Sequence, residues 1–386
     1  MTLTALLATP LLLASSNVTT TDSSVDATSE SVRPVVYVIP MDGQMGTDIH
    51  PSIYEEIIED AQEIKPDLVV FKLNSADVDT IEHIQNDDRR EAGMLGMFQD
   101  YEGMLKDIHT GLRKAGVKRD QMVMWVDDAY GIGAIMAFGF PKMFMTDSPD
   151  TRLGGLMVLQ AFFSQADADV QAKMEGAWMG TAEKFFMHGG RDSDLAILHA
   201  MAMPEKRLFA KFNGRDVVFS ADPNGAVWTL DASNERVASF DSDRAERVML
   251  SEGSVENLED LLFLLGYQDY EVNEQGREIF EKYKERWRKA FDQCQTLLRD
   301  AQAQEQEGGV KGMGRALNTY KKVLGLCRQY PAVEIRLGRD FGVRMLWLEG
   351  KIKGIQKAIA ESKRGGRGGS RGSGNRRRGA GGGLGG

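Results

Sequence analysis

Three apolar stretches decide the fold of this chain: VVYVIP at residues 35–40, LVVFKLNS at residues 68–75 and MVMWV at residues 122–126. Each is short and rich in β-branched or aromatic residues, which is typical of a buried strand. Between them, apolar residues recur three and four positions apart over 52–64 and 92–115, which predicts helices. This alternation of strand and helix predicts an α/β fold, with a parallel sheet covered by helices.

The charge of the chain is unevenly distributed. Its 386 residues carry a net charge of −10, yet the segment from Lys363 to the end holds seven Lys or Arg and no acid. The rest therefore carries −17, which argues against non-specific nucleic-acid binding by the body. The Gly/Arg-rich tail, 363–386, is predicted to be disordered, and its charge suits an anionic polymer or nucleic acid. A solubilising end, or a contact with the chain's own acidic body, fits the same composition.

The N-terminal segment indicates export. Residues 1–16 form a short apolar run that ends in small residues, which is typical of a signal peptide. A Ser/Thr/Asp-rich linker, 17–33, follows and is predicted to be disordered. We therefore expect a periplasmic or secreted protein, with a cytoplasmic protein as the alternative. No later stretch approaches the roughly 18 to 20 apolar residues of a membrane span.

No cofactor or metal site is predicted. The two cysteines, Cys294 and Cys327, are too few for a disulfide framework and lack zinc-ligand spacing. One disulfide between them and two separate buried thiols both fit the sequence. Four acids lack the ligand spacing of a calcium loop and are expected to be solvated turn residues: Asp77, Asp79, Asp127 and Asp128.

Two parts of the sequence resemble the ClpP/crotonase superfamily, most closely its NfeD-type and signal-peptide-peptidase-A-type serine peptidases. One is the pair VVYVIP and LVVFKLNS, and the other is VMWVDDAYGIGAIMAF at residues 123–138. In those peptidases a serine opens the small-residue helix after the later strand, and a Gly-Gly loop follows the earlier one. Here the serine position falls on Gly131 and the Gly-Gly position on Asp77-Val78. Since glycine has no side-chain oxygen to attack with, the resemblance implies a peptidase fold whose catalytic serine is replaced.

The resemblance also implies the remaining fold and site. It covers roughly residues 34–270, as a superhelix of parallel-sheet ββα units. Lys173 falls where the NfeD-type base lies and would be a vestigial base, with a solvated helix lysine as the alternative. The oxyanion loop would comprise Ser75, Ala76, Asp77 and Val78, with Gly133 at the helix start. Asp77 would oppose the negative charge of an oxyanion.

The rest of the body is expected to be mixed. Residues 153–189 are predicted to be mostly helical, three short strands are predicted within 208–230, and 254–262 is expected to be the last helix of the body. A hairpin turn is predicted at Asn213-Gly214.

Beyond the body, 273–362 is predicted to be a helical appendage that forms a hairpin or bundle. Its helices are expected over 273–304, 313–330 and 333–362. An apolar stripe on the first of these predicts an oligomerisation surface: Phe280, Tyr283, Trp287 and Phe291.

Three hypotheses for function follow, and they leave enzyme status open. The first is an exported, catalytically degenerate peptidase homologue that acts as an oligomeric binding or scaffold module for a peptide or protein. The second is an active serine peptidase with a non-standard nucleophile, and the third is an interaction protein that works through its helices and basic tail. Candidate nucleophiles for the second are Ser75, Ser148 and Ser164, with His188 and His199 as histidines that could act as bases.

Overall fold

A parallel sheet forms the centre of the computed structural model, which describes residues 33–76, 91–156, 167–233 and 235–368, without the side chains of 91–98, 171 and 365–368. The strands are β1 (Val35–Asp42), β2 (Leu68–Ala76), β3 (Met122–Tyr130), β4 (Lys142–Thr146), β5 (Leu153–Gly154), β6 (Leu208–Asn213), β7 (Asp216–Ser220), β8 (Trp228–Asp231), β9 (Ser239–Phe240), β10 (Ser254–Val255) and β11 (Glu271–Asn273). The helices of the body are α1 (Pro51–Ile64), α2 (Glu91–Lys114), α3 (Ile132–Ala137), α4 (Ala168–Gly189), α5 (Leu195–Ala202), α6 (Ser242–Arg247) and α7 (Leu258–Leu264). The helices that follow are α8 (Gln275–Gln306), α9 (Gly309–Gln329), α10 (Pro331–Phe341) and α11 (Met345–Gly368).

The main sheet has the strand order β10-β4-β3-β2-β1-β11, and neighbouring strands along this order are parallel. Short β5 pairs with the end of β3 and, in antiparallel fashion, with β9. The helices that connect β1 to β2, β2 to β3 and β3 to β4 are expected on the same face, because crossovers between neighbouring parallel strands are right-handed. That face of the sheet therefore carries a larger apolar core than the other. The predicted parallel α/β arrangement is confirmed, whereas the superhelix stays a prediction.

Alternating side chains build the two faces. Tyr37, Ile39 and Met41 belong to the large core beneath α1 to α5, while Val36 and Val38 belong to a smaller core covered by α7. This period of two is the pattern of a strand that is buried on both sides.

The predicted hairpin at Asn213-Gly214 is confirmed. It joins β6 to β7 through Gly214, whose φ is +69°. Together with β8, these strands form a separate antiparallel sheet in the order β7-β6-β8.

Two local predictions are wrong, and a third is confirmed apart from its start. The third strand continues past Val126 to Tyr130, because β2 pairs with it up to that residue. The described part of 153–189 is mostly helical, as predicted, since α4 spans Ala168–Gly189, although β5 opens that stretch. The helix predicted at 254–262 is strand β10 followed by α7, which starts where the Asn257 side chain accepts a hydrogen bond from the Asp260 N–H at 3.0 Å.

The single helix predicted over 333–362 is wrong, because this region contains two helices, α10 and α11. Helix α10 ends at Gly342, which has a φ of +66°, a conformation that glycine adopts without steric cost. The chain then turns and begins α11 at Met345.

Helix α8 runs along the part of β1 that β11 leaves unpaired. A Cβ built on Gly276 would lie 2.9 Å from the Val38 carbonyl oxygen. At the end of β1, Lys284 Nζ lies 2.8 Å from Asp42 Oδ2. Phe280, between them, is fully buried. A helix that covers an open strand edge protects it from pairing with another chain.

The later helices form a second core with the distal half of α8. Residues from α8, α9, α10 and α11 meet in this cluster, around Cys294, Cys327 and Leu337. The described residues from Pro34 onward nevertheless form one compact unit. The division into a 34–270 body and a 273–362 appendage therefore stays a prediction about independent folding.

Candidate functional site

The turn that carries Gly131 lies between β3 and α3. Gly131 is buried, with φ +76° and ψ −139°, and α3 begins at the next residue. A Cβ built on it would meet no described atom within 4 Å. A sharp strand-to-helix turn is where hydrolases of several kinds expose a nucleophile. Here the turn is present, but its residue is a glycine and carries no side-chain nucleophile.

The backbone of this turn is already hydrogen bonded. The Gly131 N–H donates to the Gly154 carbonyl oxygen at 2.8 Å, and the Gly131 carbonyl oxygen accepts from Ala134 N–H at 3.1 Å. Strand β5 therefore takes the N–H group of Gly131 that could otherwise stabilise an oxyanion.

Ser75 is a serine that the strand register brings beside the turn. In the β2–β3 pairing, Ser75 lies opposite Ala129 and Ala76 opposite Tyr130. Ser75 is only 2% exposed, and its Oγ has no hydrogen-bond partner among the described residues. A Cβ built on Gly133 would lie 2.7 Å from Ser75 O and 3.0 Å from Ser75 Oγ, so glycine is needed there for the close approach.

The structure thus brings together four of the predicted site residues: Gly131, Gly133, Ser75 and Ala76. Asp77 and Val78 lie outside the described residues, as do Asp79 and Ser164. The predicted carboxylate of the oxyanion loop accordingly stays a prediction.

Lys173 lies in the first half of α4 and is exposed. It forms no ion pair among the described residues. A lysine that serves as a base is usually buried, and this side chain is exposed. Its role as a vestigial base stays a prediction.

The candidate histidines are held elsewhere. His188 Nε2 lies 3.0 Å from Glu102 Oε1, and its ring stacks on His109 with centroids 5.9 Å apart. His109 in turn contacts the Gly139 carbonyl oxygen through Nε2 at 2.8 Å, and burial lowers its pKa to about 4. These contacts fasten α4 to α2. His199 lies 3.9 Å from Glu183.

A serine–histidine contact that the sequence reasoning missed occurs at the start of α1. His50 Nδ1 lies 2.8 Å from Ser52 Oγ and accepts a hydrogen bond from Ser52 N–H at 3.2 Å. Burial lowers the pKa of His50 to about 4. The acceptor nitrogen therefore serves as an N-cap, for which Pro51 at the first helical position was the available sequence signal.

The acids of the third strand are paired. Asp127 lies 3.8 Å from Lys72 Nζ, and Asp128 forms two contacts with Arg152, the shorter at 2.7 Å. They are strand residues held by cations, where solvated turn acids were expected. No group of three or more metal-ligating side chains occurs in the described part of the chain. Ser148, the remaining serine candidate, accepts a hydrogen bond from Asp150 N–H at 3.3 Å in a turn.

The loop that follows β1 is fastened by the C-terminal helices. Arg288 Nη2 lies 2.9 Å from Asp48 Oδ1, and the Tyr283 hydroxyl donates to the Thr47 carbonyl oxygen at 3.1 Å. Arg336 donates to Gln44 Oε1 at 3.1 Å. Helices α8 and α10 therefore pack beside the carboxyl end of β1.

Comparison with known proteins gives a limited result. No protein-family model matches the sequence, and neither does any curated protein. Among solved structures, the chain is similar to 1510-N, a membrane-bound stomatin-specific protease. The lysine-to-alanine mutant in complex with a substrate peptide has a TM-score of 0.36 and 12% identity, covering 63% of this chain and 92% of that one.

Two further structures of this protease are similar. The serine-to-alanine mutant has a TM-score of 0.35 and 13% identity, covering 62% of this chain and 97% of that one. The protease from Pyrococcus horikoshii, specific for a stomatin homologue, has a TM-score of 0.30 and 13% identity, covering 62% and 92%. Likeness at this level determines neither family nor function. None of the described helices is both long and apolar enough to span a bilayer.

Proposed function

We propose that this chain is a catalytically degenerate homologue of ClpP-type and signal-peptide-peptidase-A-type serine peptidases, and that it works as a binding or scaffold module. The observation that carries the proposal is Gly131, which occupies the strand-to-helix turn between β3 and α3 and has no side-chain nucleophile. The fold-determining segments around it are those that resemble the superfamily.

Two further features support the loss of catalysis. The Gly131 N–H is already bonded to Gly154, and Lys173 is exposed. A peptidase needs an oxyanion donor and a base as well as a nucleophile, and each contributes separately to the rate. A glycine without a side-chain oxygen, an N–H group already bonded and an exposed lysine each support the proposal.

The finer parts of the proposal concern setting and ligand. We propose that the protein is exported and forms a homo-oligomer, and that its ligand is a peptide or protein rather than a cofactor. The basic tail is proposed to contact an anionic polymer, or nucleic acid where the compartment offers it, because seven cations without acids attract polyanions.

One observation favours a second candidate, an active peptidase that uses Ser75. Its hydroxyl is buried, lies beside the Gly131 turn and has no hydrogen-bond partner in the part of the chain that the structure describes. Buried polar groups are nearly always hydrogen bonded, so an orphaned hydroxyl requires an explanation, and a catalytic role is one.

The experiment that separates the two candidates combines a fluorophosphonate probe with a Ser75→Ala variant. We expect no labelled serine and no peptide or ester hydrolysis in the wild-type protein. Ser75→Ala is then expected to raise the free energy of unfolding by about 1 kcal/mol, because it removes a buried hydroxyl that makes no hydrogen bond.

Urea denaturation measures this change, with Ser148→Ala as the control. Ser148 already accepts a hydrogen bond, so its removal should not stabilise the protein. Labelling of Ser75 together with hydrolysis that Ser75→Ala abolishes would replace the first candidate with the second.

A further inference from the structure

Helices α8 and α9 form an antiparallel hairpin that places the two cysteines opposite each other. Only Glu307 and Gly308 separate the helices, and Thr319 Oγ1 of α9 donates to Gln304 Oε1 of α8 at 3.0 Å. Cys294 lies ten residues before Gln304 in α8, and Cys327 lies eight residues after Thr319 in α9. In an antiparallel pair, nearly equal distances from a common contact bring two residues to the same level.

The two thiols face the same interior and touch. Cys294 is 0% and Cys327 1% exposed, and both belong to the core shared by the four C-terminal helices. The Cys294 S–H donates a hydrogen bond to the sulfur of Cys327, and both are free thiols. A buried pair in contact across two helices differs from two isolated core cysteines, which would each pack as a small apolar side chain.

The contact also makes the two sulfurs unequal. The hydrogen bond from Cys294 stabilises the thiolate of Cys327 and lowers its pKa, while the same bond and burial raise the pKa of Cys294. Thiolate, not thiol, is the attacking species in disulfide exchange. This asymmetry favours Cys327 as the sulfur that attacks first.

We propose that Cys294 and Cys327 are a dithiol site that exchanges with a small-molecule disulfide and becomes an intramolecular bond between α8 and α9. The Cys327 thiolate attacks one sulfur of oxidised glutathione, which breaks that disulfide and releases one glutathione thiolate. Cys294 gives its proton to the released thiolate and attacks Cys327 Sγ, which releases the second glutathione. Two protein thiols are oxidised and one glutathione disulfide is reduced.

The bond would close the hairpin and so act on the second core alone. It would restrict the unfolded chain across the α8–α9 connection, which is how a disulfide stabilises a fold. The main sheet and the Gly131 turn lie in other clusters. The proposal is accordingly independent of whether the protein is a peptidase.

The test uses the full chain in two arms. Native protein is held in glutathione buffers of graded oxidation, and urea-unfolded protein is refolded in the same buffers, because the native thiols are buried. Each sample is quenched in acid, unfolded, alkylated and analysed by intact-mass and peptide mass spectrometry. We expect two alkylated cysteines in reducing buffer, and in oxidising buffer an unalkylated monomer with a 294–327 crosslinked peptide.

Two variants give the controls. Cys294→Ala should trap glutathione on Cys327 as a stable mixed disulfide, and Cys327→Ala should be modified more slowly at Cys294. The urea midpoint of the wild type should rise on oxidation, and that of Cys294→Ala should not. The proposal would be overturned by disulfide-linked dimers or by glutathione on both cysteines. A natively folded sample from oxidising buffer in which both thiols are still alkylated would also overturn it.

Discussion

The proposed loss of catalysis rests mainly on one residue, Gly131. Its φ of +76° belongs to a region that glycine occupies freely and other residues occupy only under strain. The space beside it is open enough for a small side chain among the described atoms. Replacement is therefore sterically feasible and conformationally costly.

We predict that Gly131→Ser folds but does not hydrolyse peptides or esters. The backbone strain should cost about 1 to 3 kcal/mol of unfolding free energy. The new hydroxyl would still lack an oxyanion donor, which is worth roughly 3 to 4 kcal/mol of transition-state stabilisation. Gly131→Ala is the matched control, because it carries the same strain without a nucleophile.

Denaturation and hydrolysis assays on both variants check this. Substantial hydrolysis by Gly131→Ser that Gly131→Ala lacks would mean that the oxyanion hole is intact.

At the scale of elements, the contact of α8 with the edge of β1 depends on Gly276. We predict that Gly276→Ala lowers the unfolding free energy by about 1 to 3 kcal/mol, because a Cβ would be forced onto the Val38 carbonyl oxygen at 2.9 Å. Gly314 and Gly325, in the neighbouring helix α9, have no described atom within 4 Å of a built Cβ. Their alanine variants should stabilise by about 0.5 to 1 kcal/mol, since alanine favours helix.

The three variants differ only in what the added methyl group meets. Thermal or urea unfolding compares them directly. Equal effects at the three positions would show that α8 does not pack closely on the strand edge.

The packing of α4 on α2 predicts a pH dependence. Burial lowers the pKa of His109 to about 4, below the roughly 6.5 of an unfolded histidine. Its contribution to stability is therefore fully present above about pH 6.5 and is lost as pH falls through about 4. His109→Gln, which can still donate to the Gly139 carbonyl oxygen, should flatten the stability profile in that window.

His199→Gln is the control for this experiment. That side chain is partly exposed beside Glu183. Unfolding free energies measured across the window should change slope for His109→Gln and keep the wild-type slope for His199→Gln. The same slope in both variants would contradict the assignment.

On the scale of the whole molecule, the predicted oligomer needs a different surface from the one first inferred. The stripe on α8 is largely used within the chain: Phe280 is fully buried, Trp287 is 5% exposed, and Tyr283 packs on the main core. Exposed large apolar side chains occur at several places in the chain, and three of them lie close in sequence at the end of α10 and the start of α11: Phe341, Leu346 and Trp347.

We predict a homo-oligomer that survives removal of 363–386 and is weakened by Leu346→Glu. Leu346 is 81% exposed, more than a leucine with no partner should be, while a Gly/Arg tail has no apolar area to bury. Lys353→Glu, also exposed on α11, controls for the change of charge. Light scattering at micromolar concentration distinguishes the variants. A monomeric wild type, or dissociation caused by tail removal alone, would contradict the prediction.

Much of the fold and part of the site could be predicted from the sequence. The strand at 35–40 and the helix at 52–64 are encoded by local periodicity, which is a property of neighbouring residues. The ends of β3 and of the helix predicted over 333–362 were misplaced, because strand pairing decided one and the left-handed Gly342 decided the other. For the site, the role of Gly131 was assigned by the family resemblance and stays a prediction, whereas the buried Ser75 hydroxyl, which has no partner among the described residues, could be found only in the structure.

The sequence by itself determined the α/β class and the uneven charge, because each depends only on residue type and spacing. That Gly131 stands at a nucleophile position is implied by the family resemblance and stays a prediction. Tertiary structure alone decided that α8 covers the edge of β1, that Lys72 and Arg152 hold Asp127 and Asp128, and that Cys294 meets Cys327. These contacts join segments far apart in the chain. Their partners are chosen by sheet register and helix packing, which local periodicity does not encode.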